Sequence, residues 1–511
     1  MRAVPTGRQI SRRGFLRFCL SLAGPAVVAA CAPQALSRPS PTGTSTPASA
    51  ASPIASAEAP STAAPPAPTV APDFVRIQPL GSSIVALSWT TGQPAFAAVE
   101  VQPTPFSSED KQGTFFPASS MAPSGYTRVL SSRHDLCATD LTPASTYFAR
   151  LWNKGPQGRE TTSPSFRIAT PPRPAEAFVF SKEMYGLQLA EEWRSLDEAR
   201  KAGAVGEDYI RTIEILQQWD EIQPEPEAFL WSTDDGRGID DQIEEIRRLA
   251  GESLGETKFM RLVLRAGGAL GGKRMPGWAQ EGVESVIEGE DDKVVRWDPQ
   301  YACRYWRMVA AAGARYGRDP AIATVAVQSV SKTGEMTMSG KLLEAYREDL
   351  GYHDTEIVEN LRWLYRNSLQ VYAESFPGQR LQMNMGRVQV MEGDQEAGFS
   401  ILDEAAATYG KRLGFGSTGF DGVRAELLAR YRDSVVVGGF SEKPSRDSRD
   451  PAAELEKIFD LVWPHASGLG WVSLHDDALG IHPSRWNERP ELRVFLKEVE
   501  DRFRLLRTQP P

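Results

Sequence analysis

Apolar and polar residues alternate in short runs between Asp73 and Pro172: Phe74 to Gln78, Ile84 to Thr90, Phe96 to Gln102, His134 to Thr139, Tyr147 to Asn153 and Ser165 to Thr170. Gly, Pro and Ser separate them. Successive side chains of a strand point to opposite faces, so a period of two reads as half-buried strands. Ile84, Ala86 and Ser88 then share one face and Val85, Leu87 and Trp89 the other, which places Trp89 in a core. About a hundred residues patterned this way predict an all-β sandwich over 73–172.

Beyond Pro174 the pattern changes to β-rich apolar runs alternating with helical periods, the mark of a parallel α/β fold. Strands are predicted at Glu183 to Leu189, Tyr209 to Leu216, Phe259 to Leu264, Ala323 to Val330, Leu381 to Met385, Gly414 to Thr418, Ser434 to Phe440 and Gly470 to Leu474. Helices are predicted between them, including Ile239 to Gly251, Pro299 to Tyr316, Glu356 to Glu374, Leu402 to Tyr409, Val423 to Arg432 and Pro451 to Pro464, with Glu491 to Leu506 last. Eight strands over residues 175–511 predict a (β/α)8 TIM barrel, whose chemistry sits at the carboxyl ends of its strands.

The first 72 residues carry neither period. Ser11-Arg12-Arg13-Gly14-Phe15-Leu16-Arg17 precedes an apolar stretch from Phe18 to Ala30. That layout is an export signal and resembles the twin-arginine signature. Val28-Ala29-Ala30-Cys31 resembles a lipobox, in which Cys31 would be diacylated and become the mature N-terminus of a membrane-tethered protein; the alternative is a thiol beside an ordinary cleavage site. Residues 1–31 are therefore read as a signal peptide and 32–72, rich in Ala, Pro, Ser and Thr, as a disordered stalk. The expected localisation is extracytoplasmic, with the twin-arginine machinery and the membrane as partners.

Composition narrows the classes. The chain has 511 residues and a net charge of -9, an acidic balance that argues against nucleic acid as a partner. Outside the signal only Cys137 and Cys303 remain, in different predicted domains and without metal-type spacing. They are read as buried free thiols, with no disulfide framework, which fits folding in a reducing compartment before export. No nucleotide, dinucleotide or zinc motif is present, so no cofactor and no metal is expected, a site at His475 with Asp476 or Asp477 being the weak exception.

The run Leu141-Thr142-Pro143-Ala144-Ser145-Thr146-Tyr147 resembles the corner of fibronectin type III domains, in which a tyrosine fixes the turn before it, and Trp89 agrees. Such modules serve mostly as spacers. In the barrel, Ser331-Lys332-Thr333-Gly334-Glu335 follows the fourth strand and Gly439-Phe440-Ser441-Glu442 ends the seventh. Glutamates at those two ends resemble clan A glycoside hydrolases, and the resemblance implies Glu335 as proton donor and Glu442 as nucleophile; each could equally be a solvated loop residue. Trp219-Asp220-Glu221-Ile222-Gln223-Pro224-Glu225-Pro226, and Leu264-Arg265 with Met275-Pro276-Gly277-Trp278-Ala279, are similar to family 42 β-galactosidases and relatives.

From these, Trp219 and Trp278 are candidates to stack on sugar rings, with core packing as the alternative, as it is for Trp231 and Trp297. Arg265, Asn384, Asp421 and His475 are candidate polar contacts. One departure stands out: clan A members usually carry Asn before the acid/base, where this chain has Gly334. The expectation is a retaining glycoside hydrolase acting on an oligo- or polysaccharide, or a carbohydrate-binding lipoprotein whose barrel has lost catalysis.

Overall fold

The computed structural model describes residues 75–108, 111–118, 121, 124–190, 192–266, 275–288, 291–328, 340–385, 395–418, 429–440, 451–462, 469–474 and 490–509. Seven strands form the first unit: β1 (Arg76–Pro79), β2 (Val85–Gln102), β3 (Thr114–Phe116), β4 (Ser131–Ala138), β5 (Thr146–Lys154), β6 (Glu160–Thr162) and β7 (Phe166–Ala169). Two predicted strands are one: β2 runs straight through both. Its first half pairs antiparallel with β1 and β4, the register slips between Thr90 and Ala95, and its second half pairs with β3 and β5. The slip moves the chain from one layer to the other, and Val85, Leu87 and Trp89 close the core against Val99, Leu136, Leu151 and Ile168. The short strands β3 and β6 are additions to the predicted set.

The opposite face of β2 is where the sequence reading needs correcting. Ile84, Ala86 and Cys137 belong to the same hydrophobic core as the barrel helices, so this face is an interface with the barrel rather than the free surface of a detached module.

The barrel has its eight strands at the predicted places: β8 (Gly186–Leu189), β9 (Ile210–Gln218), β10 (Phe259–Arg265), β13 (Ile322–Val327), β14 (Arg380–Met385), β15 (Leu413–Thr418), β16 (Val436–Phe440) and β17 (Leu469–Leu474). All neighbours are parallel, and β17 returns to β8 to close the ring. A hairpin of β11 (Ser285–Glu288) and β12 (Asp291–Val294) is inserted after β10. Around the ring lie α1 (Glu198–Gly206), α2 (Ile239–Ala250), α3 (Pro299–Tyr316), α4 (Gly340–Glu348), α5 (Asp354–Ser375), α6 (Gln395–Tyr409), α7 (Pro451–Val462) and α8 (Pro490–Thr508). The helix read at Val423 to Arg432 falls mostly outside the described residues.

Helix α3 shows why the seam forms. Asp298 caps it, accepting from the backbone N–H of Gln300 (3.0 Å) and Tyr301 (2.9 Å), with Pro299 in the first turn where its missing donor costs nothing. Helical spacing then places Cys303, Arg304 and Arg307 on one side. Strand β4 offers Asp135 and Cys137, two apart and so on one face. Cys137 and Cys303 are joined in a disulfide with their Cα atoms 5.4 Å apart, which overturns the free-thiol reading. Beside it Asp135 accepts from Arg304 Nε at 2.8 Å, Arg307 Nη1 at 3.1 Å and Ser88 Oγ at 2.6 Å.

Burial alone would raise the Asp135 carboxyl. The charges of Arg304 and Arg133 and the bonds from Ser88 and Arg304 outweigh it and hold the group well below the ordinary carboxylate range. Farther along the seam, Ser82 donates to Glu374 (2.7 Å), Arg366 to Asp140 (2.9 Å) and Arg128 pairs with Glu284 (2.9 Å).

Candidate active site

The carboxyl ends of the strands define the barrel mouth, and phase decides which side chains enter it. Leu216, Val263 and Ala326 form a small cluster of their own, separate from the core that joins strands to helices, so these positions face inward. Two residues farther along each chain come Gln218, Arg265 and Gln328, in phase with that cluster and at or just past the ends of β9, β10 and β13. Gln382 is paired in register with Ala326 and faces inward as well. The side-chain oxygens of Gln218 and Gln328 and both amide atoms of Gln382 are enclosed without a hydrogen-bond partner among the described residues. A buried amide left unbonded costs about 1–3 kcal/mol, so this set is suited to taking up hydroxyl groups or water.

A charged group borders these amides. Arg194, in the turn after β8, donates to Glu221 (2.7 Å) and Glu192 (3.3 Å), and Arg265 lies 3.9 Å from Glu192. Glu221 is fixed further by Gln217 Nε2 (2.9 Å) and the N–H of Gln218 (3.2 Å). Its neighbour Asp220 has one oxygen enclosed without a partner among the described residues, and burial together with the Glu221 charge raises its carboxyl above the ordinary value. Among the described residues two arginines thus face two glutamates and Asp220, with no positive excess to attract an anion. A neutral, hydroxyl-rich ligand fits this balance better than a phosphate or sulfate.

On the opposite side of the ring Trp471 is buried inside the barrel. A Cβ at Gly414 would lie 2.9 Å from its indole, and one at Gly438 would clash outright, so these glycines make the room the ring occupies. Trp471 is a filler of the barrel interior.

The predicted site residues divide. Arg265 is the last residue of β10, at the mouth. Asn384 lies in β14, opposite Gly416 in register, one residue short of the strand's end. Trp219 corrects the reading: it has no exposed surface, its ring meets Trp278, Tyr301 and Tyr305 edge to face, and its Nε1 donates to Gln223 Oε1 at 3.1 Å. Packing, the alternative, accounts for it. Trp278 is half-buried with Arg133 of β4 stacked over its ring at 5.2 Å, and its Nε1 donates to the Gln223 carbonyl at 3.1 Å, so it belongs to the seam. Trp297 is fully buried, and Trp231 stacks on Phe229 at 5.3 Å.

Glu335, Glu442, Asp421, His475 and Cys31 lie outside the described residues, Glu335 eight positions beyond the end of β13 and Glu442 two beyond β16. Glu192, Arg194, Asp220 and Glu221 were missed as a group, although Asp220 and Glu221 stand in the very stretch that carried the family resemblance. A cavity of about 320 Å³ opens between α5, α6 and residues 173–176, on the outside of the helical layer. Its Arg366 and Arg412 are already paired with Asp140 and Glu176, which makes it a poorer candidate than the mouth.

No family model and no curated protein matches the chain. Solved structures similar to it include the exo-β-1,4-mannosidase Op5Man5 from Opitutaceae bacterium strain TAV5, at 11% identity over 66% of this chain and 63% of that one, TM-score 0.41. The chain thus spans under two thirds of the mannosidase. Xylanase 10B from Thermotoga maritima is similar at 15% identity over 63% of this chain and 96% of that one, TM-score 0.39. A Bacteroides uniformis β-glucuronidase follows at 10% over 78% and 45%, TM-score 0.34. Likeness of this degree does not reach activity, and the closed parallel barrel stands on its own strand pairing.

Proposed function

We propose that this protein is an exported, membrane-tethered glycoside hydrolase that cleaves O-glycosidic bonds of an oligo- or polysaccharide by a retaining mechanism. The observation that carries the reading is the mouth: inward amides of Gln218, Gln328 and Gln382 lack hydrogen-bond partners among the described residues, beside a set of Arg and Glu whose charges offset one another. Such a surface favours a neutral ligand rich in hydroxyls. Glu335 would protonate the leaving oxygen and Glu442 attack the anomeric carbon, which requires their carboxyl groups about 5–5.5 Å apart. Different surroundings would split their pKa values, one kept protonated and the other ionised.

Export through the twin-arginine route and lipidation at Cys31 complete the proposal. The Cys137–Cys303 disulfide supports it, since such bonds persist in oxidising compartments. We read the sandwich as fibronectin type III-like; the N–H of Thr142 donates to the Tyr147 hydroxyl at 2.8 Å, as that corner requires.

The test is turnover of aryl glycosides and plant and microbial polysaccharides by the soluble segment, compared with Glu335→Gln and Glu442→Gln. Each variant is expected to lose at least about a hundredfold, the scale of a positioned acid or base. Unchanged turnover in both would refute the assignment. Gly334, where clan A members usually have Asn, favours the second reading of a non-catalytic carbohydrate-binding protein. Its signature would be retarded migration in polysaccharide-containing gels without any turnover.

A further inference from the structure

The contacts of Arg304 reach past the seam into the barrel mouth. Its Nε is bound to Asp135 of the sandwich, while its Nη1 donates to the carbonyls of Glu281 (2.6 Å) and Ala279 (3.2 Å) in the segment that follows β10. Arg304 and Asp135 are both fully buried. Gln300, one turn earlier in α3, binds the Gly282 carbonyl at 2.6 Å and accepts from the N–H of Asp135 at 3.4 Å. Gly282 itself has φ +68, and a side chain there would collide with Ser131 of β4. The same segment carries Trp278, which is covered by Arg133 of β4, touches Trp219 at the end of β9 and donates to Gln223. One face of the sandwich therefore grips the chain leaving strand three of the barrel and, through Trp278, the chain leaving strand two. Those strands end in Arg265 and Gln218.

We propose that the sandwich is a fixed wall of the barrel mouth, with Asp135 a positioning residue that acts through Arg304 to hold the segment 276–284 after β10. The sandwich reaches this segment through α3, whose Arg304 and Gln300 bond at once to Asp135 and to main-chain carbonyls of Ala279, Glu281 and Gly282. At a barrel mouth a shift of about 1 Å is enough to spoil binding geometry. The inference concerns where that segment sits and does not depend on the glycosidase reading, so inactivity toward every sugar would leave it standing.

Arg307 supplies the control. It binds Asp135 as well, but its other partners are Gln78, Ser88 and Glu227, and it bonds to neither Ala279 nor Glu281. Hydrogen–deuterium exchange would be followed on the full-length protein at labelling times too short for the amides of β9 and β10 to exchange. The readout is the set of segment amides that are bonded, those of Ala279, Val283 and Glu284. In Asp135→Asn and in Arg304→Lys they are expected to exchange about tenfold faster than in the parent, whereas Arg307→Lys changes them by less than about twofold.

Equal acceleration in all three variants would reduce Asp135 to a merely structural residue and overturn the proposal. Unchanged segment amides in Arg304→Lys would overturn it too. If Asp135→Asn and Arg304→Lys do not fold, Cys137→Ser with Cys303→Ser loosens the seam while leaving the Asp135–Arg304 pair in place. Acceleration confined to the segment would then support the proposal, and none would overturn it.

Discussion

The seam and the barrel interior each bury an arginine against a carboxylate, and they treat the surrounding polar atoms in opposite ways. At the seam both oxygens of Asp135 are bonded, and three guanidinium groups surround it. In the interior, Arg261 is paired with Glu214, and burial still pulls the guanidinium below its ordinary value. Toward the mouth, amide atoms of Gln218, Gln328 and Gln382 have no bonding partner among the described residues. A satisfied cluster reads as architecture. An unsatisfied one, at the end of a TIM barrel where chemistry is housed, reads as a place held for something else.

The contrast can be broken by deletion. Asp135→Ala leaves Arg304 buried without its anion and Arg307 with Glu227 alone, and a loss of about 3–5 kcal/mol is expected in chemical denaturation. A loss under about 1 kcal/mol would mean that the seam is no more essential than a surface ion pair.

A pH effect should come next. His134 sits in β4 with its ring 5.0 Å from Trp89, and burial, then the Arg304 charge, depress it to about 3, with Asp135 opposing. The folded protein keeps it neutral while the unfolded chain protonates near 6.5, so its stabilising share is complete above pH 6.5 and falls as the pH drops toward 3. Between pH 6.5 and 5 the loss is about 2 kcal/mol. Asp298, raised to about 6 by burial, works in the other direction over part of that range, so the quantity to measure is the difference between the parent and His134→Gln at each pH. A constant difference would show that His134 titrates normally.

The smallest effect sharpens the other side of the comparison. Gln382→Leu removes amide atoms without a partner among the described residues, and the unfolding free energy should fall by less than about 1 kcal/mol, or rise. A drop above about 2 kcal/mol would show that these atoms are bonded through buried water and belong to the architecture after all.

Much of this fold could be read along the chain. The β-rich runs gave all eight barrel strands, and Pro299 to Tyr316 gave α3 to the residue, because period and capping are local. The seam was not legible for the opposite reason. Asp135 and Cys137 share a strand face and Cys303, Arg304 and Arg307 a helix face, but each pattern alone reads as an ordinary half-polar surface. That the two surfaces meet is a long-range fact, and cysteine spacing cannot supply it. Trp219 misled for a related reason: only the burial by Tyr301 and Tyr305, some eighty positions later, turns a sugar-stacking candidate into packing.

The Cys137–Cys303 bond closes across 166 positions, each sulfur contributed by a different module. On the proposed route of passage the chain crosses the membrane already folded, from a side where thiols stay reduced. The two modules must then find one another through charge and packing alone, and oxidation on the far side merely seals an arrangement already made. The closed bond would act as a ratchet, forbidding the modules to separate once they have met.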